Sequence, residues 1–564
     1  MIAVPESARE LNVRIAGEAG QGVDTVGSLL VEAFAEMGLH VFATQSYMSR
    51  IRGGLNWFDI RIADRELFSG REKADLLVAL TQEAVEALRT EVAGEGVILS
   101  DKEGQHGAIG LGFAGAAKAA GGSAVMANSV AAGAVFAVLG YDLKHLVSRL
   151  EKEFGRKGED AVRQNVGCAR KGAELAAARG ASLQAPDPVR APAHVYSGSE
   201  AVGLAAATSG VKLVSSYPMT PSTATFAFLA GVADRYGIVV EQAEDEIAAI
   251  NMICGAVYAG VPAMTTTSGG GFALMVEGLS LAGMMELPVF IMLGQRPGPA
   301  TGLPTRTAQQ DLKFALSAGH GEFPRALFAP GSPQQAYALT RRALETAHKF
   351  QSPSILLLDQ YLADLRKNIP ELDETFRPID RHVVENPSSD YVRYAPAPDG
   401  VSPRALPGSP AFVVCDSDEH TEDGHITEDL GVRVRLQDKR MAKEKGIVAD
   451  ALPPELYGAD DAEHLLIAWG STYGPCREAV DVLTERGVSA AMLHFSQVWP
   501  LDAEAVRSTL GSAGARRIAS VEGNATGQFA SVLRGAGILG DCELILRYDG
   551  LPFTGEEIAE RAAS

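Results

Sequence analysis

Four apolar runs recur at a nearly constant interval between residues 212 and 293, and that interval restricts the fold more than any other feature of the chain. The runs are 212–216, 238–242, 263–267 and 289–293, each separated from the next by about 20 residues rich in Ala, Leu and Met. Such a gap holds one helix and two short loops. Strand–helix–strand units at this spacing build a parallel sheet wrapped by helices on both faces, and ligands of such sheets sit beyond the carboxyl ends of the strands. Each run ends in small, polar or charged residues. Tyr217-Pro-Met-Thr-Pro-Ser222 follows the first, and Glu244, Asp245 and Glu246 the second. Ser268-Gly-Gly-Gly271 follows the third, and Gln295-Arg296 with a Pro/Gly-rich stretch to Thr305 the fourth. A site is therefore expected within 212–306.

The alternation continues at 325–329 and 354–359, which gives about six parallel strands in a central domain of residues 194–384. Pro-rich stretches at 181–193 and 385–410 read as linkers. Ahead of them, 1–180 form a separate α/β domain with strands at 11–15, 40–43, 55–62, 76–80 and 97–100. The Ala/Val/Gly-rich stretch 128–139 is expected to be a closely packed helix. Behind the second linker, 411–564 show strands at 465–469, 491–495, 517–521 and 543–547, after an N-terminal excursion (411–459). The fold class expected is α/β, with three α/β domains. At 564 residues the chain is too long for one core.

Fifty Lys+Arg against seventy Asp+Glu leave a net charge of -20, which argues against nucleic acid or an anionic membrane as the main partner. The start is not basic-then-apolar, and no apolar run reaches about 18 residues, so the reading is cytoplasmic. The five cysteines are scattered without a Cys-x-x-Cys pair. That number fits a reducing compartment, and the spacing excludes a thiolate cluster or zinc knuckle built from this chain alone.

Prolines 218 and 221 hold Thr220 in a stiff loop suited to gripping a substrate oxygen; the competing reading makes Thr220 or Ser222 a helix cap. Glu246 opens a helix of very small residues that would admit a flat ring and desolvate the carboxylate, the condition for general-acid work. Its competing role is to oppose the helix dipole. Arg296, beside Gln295 and the hydroxyls of Thr301 and Thr305, is equipped to hold a carboxylate, with a structural salt bridge as the alternative. Ser268-Gly-Gly-Gly271 offers N–H groups but is not a nucleophile elbow. His320 reads as a loop histidine. In the first domain, Gly17-Glu-Ala-Gly20-Gln-Gly22 is either a phosphate turn or a structural one, and Arg50-Ile-Arg-Gly-Gly54 either grips an anion or is a solvated turn. The acids and histidines of 416–425, followed by the basic 433–445, match no zinc or calcium pattern and read as a solvated, ion-paired excursion.

Taken together, Tyr217-Pro-Met-Thr-Pro, Glu246 ahead of Gly255-Ala-x-x-Ala-Gly260, Ser268-Gly-Gly-Gly-x-x-Leu-Met275 and Gln295-Arg-x-Gly-Pro-x-Thr-Gly-Leu-Pro-Thr305 resemble the alpha subunit of 2-oxoacid:ferredoxin oxidoreductases, the 2-oxoglutarate type above all. Asp418-Glu-His, Val521-Glu-x-Asn-x-Thr-Gly-Gln528 and Asp549-Gly-x-Pro-Phe553 are similar to that family's C-terminal region, and 1–180 to its gamma domain fused in front. The resemblance implies a central sheet of thiamine-diphosphate-binding type and a last domain like the transketolase C-terminal domain. It implies oxidative decarboxylation of a 2-oxoacid with coenzyme A to acyl-CoA, carbon dioxide and reduced ferredoxin, or the reverse. Glu246 then resembles the glutamate that hydrogen-bonds the cofactor's aminopyrimidine ring. Thr220 resembles the threonine that contacts the substrate's carboxylate and oxo groups, and Arg296 and Thr305 the pair that help hold it. No metal ligand is implied here. The family keeps Mg2+ and the [4Fe-4S] cluster on a separate beta subunit, which implies an obligate partner and a dimer of alpha-beta pairs; ferredoxin is expected to dock mainly on that partner, because this acidic chain would repel an acidic carrier. Pyruvate or a broader 2-oxoacid range is the alternative substrate. A non-catalytic assembly or regulatory subunit is the alternative class, and a dinucleotide site at Gly17–Gly22 in a dehydrogenase a third reading.

Overall fold

The computed structural model describes residues 10–18, 20–48, 54–102 and 106–564, without the side chains of 512 and 513. The chain divides into two compact units, residues 1–197 with 364–371, and residues 198–363 with 372–564.

The first unit is built on an eight-stranded mixed sheet. Its central strand, Glu10–Glu18, runs parallel to Ala74–Ala79 and antiparallel to Leu55–Ala63. Leu11, Val13 and Ile15 enter the core at every second position, as a strand period requires. Two short strands from far along the chain, His194–Ser197 and Arg366–Ile369, extend one edge. Asn368 stitches them in place: its Oδ1 accepts from the Val41 N–H at 2.8 Å while its Nδ2 donates to the Leu39 and Pro192 carbonyls. Neither strand carries a sequence signal, because a four-residue edge strand is chosen by the sheet it joins. The Ala/Val/Gly-rich stretch is the helix Ala127–Val138, and it crosses Glu159–Ala178 at backbone contact. A Cβ on Gly133 would lie 1.9 Å from the Ala169 carbonyl oxygen, and one on Gly172 1.9 Å from that of Val130. In the glycine turn, Gln21 bonds back to Glu18 through both its backbone N–H and its side-chain oxygen. Arg50 and Arg52 lie outside the described residues.

The second unit contains the expected parallel sheet. Its order is Gln497–Trp499, Ala326–Phe328, Ser354–Asp359, Phe290–Gln295, Ala263–Ser268, Leu213–Ser216 and Val239–Gln242. Six strands are parallel and the seventh, Gln497–Trp499, joins the edge antiparallel from the C-terminal region. A five-stranded sheet follows, with Glu455–Gly458 as an antiparallel edge on four parallel strands. The two sheets share one hydrophobic core, in which Ile250, Phe272 and Leu293 belong to the same cluster as Trp469, Phe495 and Phe529. Among the described residues no single helix is long and apolar enough to cross a membrane.

The stretch 433–445 departs from the expectation of a solvated excursion. It lies within a 20-residue helix, Leu430–Ala449, whose Lys439, Arg440 and Lys443 are buried. Lys439 and Lys443, one helical turn apart, both reach the buried carboxylate of Glu286; the Lys439 contact is 2.7 Å. Burial pushes the Glu286 carboxyl up, but Lys443, Lys439 and Arg393 together hold it well below the usual carboxylate range. Arg440 pairs with Glu419 at 2.9 Å. The region is ion-paired as expected, but with three of the six cations of 433–445 inside, because a buried acid requires cations that come in with it.

Candidate active site

In the central sheet the chain leaves Leu213–Ser216 toward one edge and Ala263–Ser268 toward the other, so the topological switch point lies between these neighbours. Their backbone register is limited to Ala263 with Leu213 and Met264 with Val214. Beyond it the strands part, and the Ser216 hydroxyl fills the gap, accepting from the Thr266 N–H at 2.9 Å and lying 3.1 Å from the Thr266 hydroxyl. The segments carrying Thr220, Glu246, Ser268 and Arg296 leave the carboxyl ends of four adjacent strands around this crevice.

Glu246 begins the helix Glu246–Tyr258, and Asp245 caps it by accepting from the Ala248 N–H at 2.8 Å. With the cap supplied by its neighbour, Glu246 turns inward. It is 3% exposed, and its Oε1 is buried without a hydrogen-bond partner. A buried carboxylate oxygen left unpaired in a folded chain needs an explanation, and one that fits is a donor brought by a ligand. The start of the helix Gly269–Leu274 makes room for it: a Cβ on Gly271 would stand 2.2 Å from Thr267 Oγ1 and 2.5 Å from Glu246 Oε1.

Thr220 is half-buried in its proline loop, and neither it nor Ser222 caps the following helix Thr223–Tyr236. Ser222 occupies the cap position but donates its hydroxyl back to the Met219 carbonyl at 2.7 Å. The Thr220 carbonyl accepts from Arg296 Nη1 at 2.9 Å, so the structure brings these two predicted residues together. Arg296 forms no salt bridge among the described residues; burial lowers its proton affinity, opposed by the charge of Asp311 nearby. Thr305 lies further along the same loop, half-buried. That loop is folded back on itself by the Leu303 N–H bonding the Pro297 carbonyl. His320 sits on the surface, its backbone tied to Ser280.

Asp311 was not anticipated. An acid just before the apolar helix Leu312–Ser317 reads as a cap, and the residue does hold that position, yet its side chain makes no cap bond. Instead it packs on these glycines from the side opposite Glu246, 2.7 Å from where a Gly269 Cβ would be, with Oδ2 buried and unpaired. Burial pushes its carboxyl up to about 6, with Arg296 pulling the other way. The helix start Gly269-Gly-Gly271 is thus held between two buried acids, each with an unpaired oxygen. On the segments that follow the strand ends, Tyr217, Ile247, Leu274 and Leu303 leave apolar side chains exposed.

Residues 204–439 match the family described as pyruvate flavodoxin/ferredoxin oxidoreductase, thiamine diphosphate-binding, and residues 12–175 match pyruvate ferredoxin/flavodoxin oxidoreductase. The chain is 32% identical to the 2-oxoacid:ferredoxin oxidoreductase subunit alpha of a Sulfolobus species, over 97% of this chain and 95% of that one. It is 31% identical to the 2-oxoglutarate oxidoreductase subunit KorA of Mycobacterium tuberculosis, over 99% and 92%. A solved structure of 2-oxoglutarate:ferredoxin oxidoreductase from Magnetococcus marinus, with 2-oxoglutarate, coenzyme A and succinyl-CoA bound, superposes with a TM-score of 0.92 at 30% identity. It covers 98% of this chain and 99% of that one. With sequence and fold matched along nearly its whole length, the chain belongs to the 2-oxoacid:ferredoxin oxidoreductase family, among its alpha subunits.

Proposed function

We propose that this chain supplies the pyrimidine-side half of a thiamine-diphosphate-dependent active site that interconverts a 2-oxoacid and coenzyme A with acyl-CoA, carbon dioxide and reduced ferredoxin, in the cytoplasm. The observation that carries the reading is the buried, unpaired Oε1 of Glu246 over a helix start kept bare at Gly271. That arrangement fits an aminopyrimidine, whose ring nitrogen and amino group need a carboxyl partner and a flat space. When bound, thiamine diphosphate supplies the nucleophilic carbon and the electron sink for decarboxylation.

The protein's own residues do the rest. Glu246 holds a proton at the aminopyrimidine ring nitrogen, and its burial keeps water from competing for that hydrogen bond. Arg296 presents its guanidinium at the mouth of the crevice, with one N–H spent on the Thr220 carbonyl and the others free to take a substrate carboxylate as charge-assisted bonds. The hydroxyls of Thr220 and Thr305 orient the substrate's oxygens. We assign 2-oxoglutarate as the first substrate to try, supported by the names of the M. tuberculosis and M. marinus relatives; pyruvate and other 2-oxoacids follow. The diphosphate with its Mg2+ and the [4Fe-4S] cluster are assigned to a beta subunit, since the sequence has neither a Gly-Asp-Gly segment nor closely spaced cysteines. The exposed apolar side chains on the segments that follow the strand ends support burial against that subunit. A dimer of alpha-beta pairs, with ferredoxin docking on beta away from this acidic chain, completes the assignment.

The test is Glu246→Gln in the complex purified with its partner, with thiamine diphosphate and iron contents measured alongside turnover of a 2-oxoacid panel. Turnover falling about a hundredfold or more at normal assembly is the expected result. Near-normal turnover refutes the catalytic role, and loss of association alone points to an assembly role.

A further inference from the structure

The motif Glu522-Gly-Asn-Ala-Thr-Gly-Gln528 has no part in the reading above, yet it is among the most densely bonded loops in the molecule. Glu522, fully buried, receives four donors: the Ser520 hydroxyl, the Asn524 side-chain amide and the backbone N–H groups of Phe529 and Ala530. Asn524 Oδ1 in turn accepts from the Thr526 and Gln528 N–H groups. The loop is rigid by its own bonds before it meets anything else.

What it meets is Gln309-Gln310-Asp311, the segment following the substrate loop. Gln309 and Gly523 bond in both directions, main chain to main chain at 2.7 Å and Gly523 N–H to Gln309 Oε1 at 2.8 Å. Asn524 Nδ2 donates to the Gln309 carbonyl at 3.1 Å. Gln528 bridges residues 310 and 313, donating to the Gln310 carbonyl at 2.7 Å and accepting from the Lys313 N–H at 2.9 Å. Gln310 then donates from Nε2 to the Arg296 carbonyl at 3.0 Å, and Gln295 Oε1 accepts from the Asp311 N–H at 3.2 Å. An unbroken series of bonds therefore runs from the C-terminal sheet to the main chain of Arg296.

We propose that the 522–528 loop is a brace for the Arg296 guanidinium, with Gln528 and Gln310 as positioning residues that fix the main chain of Arg296. The inference rests on the assignment of Arg296 to the 2-oxoacid carboxylate. Its physical content is preorganisation: a bidentate grip needs its guanidinium within a fraction of an ångström of one position, and a Pro/Gly loop cannot hold that position unaided. Asp311, carried on the same braced segment, keeps its charge at a fixed place beside Arg296.

The experiment uses the complex with its beta subunit and compares Gln310→Ala, Gln528→Ala, the double variant and Arg296→Ala, varying the 2-oxoacid and coenzyme A each in turn with the other and the electron acceptor saturating. Each single glutamine variant is expected to raise the KM for the 2-oxoacid about three- to tenfold, the range of one lost hydrogen bond. The kcat should stay within about twofold and the KM for coenzyme A should not move, a split that general loosening of the fold would not produce. The double variant should be little worse than the worse single, because both act through one series of bonds. Gln528→Glu, which keeps the acceptor for Lys313 but not the donor for Gln310, should show the same KM effect if the alanine variants assemble poorly. Arg296→Ala raising the 2-oxoacid KM while the glutamine variants leave it unchanged overturns the brace alone. Arg296→Ala leaving that KM unchanged overturns the substrate role of Arg296 and the brace with it. Equal losses for both substrates in the glutamine variants also overturn the brace.

Discussion

Replacing Asp311 by Asn should stabilise this protein at neutral pH, and by an amount that depends on pH in a set direction. The residue is 9% exposed, one carboxylate oxygen is buried without a partner, and Arg296, whose charge it feels, does not form an ion pair with it. Burial raises its pKa from the ordinary 3.8 to about 6, so the folded state prefers the neutral acid more than the unfolded chain does. Below the unfolded value both states are protonated and the group costs nothing. As pH rises through about 6 the folded state must hold the charge, and that cost is complete above it. At about 1.4 kcal/mol per tenfold change in proton affinity, the cost is ~3 kcal/mol at pH 8. Asparagine removes it but leaves amide groups of its own unpaired, a pH-independent penalty of about 1–3 kcal/mol. The diagnostic is therefore the slope: between pH 5 and pH 8 the stability of Asp311→Asn relative to the parent should rise by about 1.4 kcal/mol. Urea midpoints of the second unit, measured for both proteins at both pH values, read this directly. Asp359, also raised to about 6, is common to both proteins and cancels. A difference that stays flat or falls with pH refutes the claim that Asp311 is held as an uncompensated buried acid. Loss of activity together with the gain in stability would mark a residue kept for function at the expense of the fold.

Gly271→Ala should fold but lower turnover about a hundredfold, since the new methyl group must displace the Glu246 carboxylate or the Thr267 hydroxyl. Gly270→Ala, whose Cβ meets nothing within 4 Å, should leave the stability of the chain unchanged by calorimetry. Glu286→Gln should lower the urea midpoint by an equivalent of about 3–5 kcal/mol, because Lys439 and Lys443 are then buried without their counter-ion. Gly133→Ala should destabilise the first unit by about 1–3 kcal/mol or more, seen as earlier amide exchange in residues 127–138 and 159–178, since two helix backbones touch there.

The central sheet was legible because its hydrophobic runs are continuous and its interval regular; six strands fall where the apolar runs stand, with ends moved by a residue or two. The C-terminal sheet followed the same rhythm. That Thr220, Glu246 and Arg296 lie at one end of the sheet was legible because a parallel sheet gathers the residues that follow its strands whatever their distance along the chain. Asp311 was not, since an acid before a helix looks the same whether it caps or faces a crevice. The helix Leu430–Ala449 was misread as solvated because lysines at positions 439 and 443 imply water unless the acid they meet, 153 residues from Lys439, is known to be buried.

Local pattern alone thus settled the class of fold and which residues follow the carboxyl ends of the central strands, because periodicity and turn chemistry act over a few residues. Which carboxylate oxygens go unpaired, which glycines must stay bare and which distant glutamines hold the arginine's main chain were decided only by tertiary packing. Those properties depend on what lies within 3 Å in space, and the sequence does not record that.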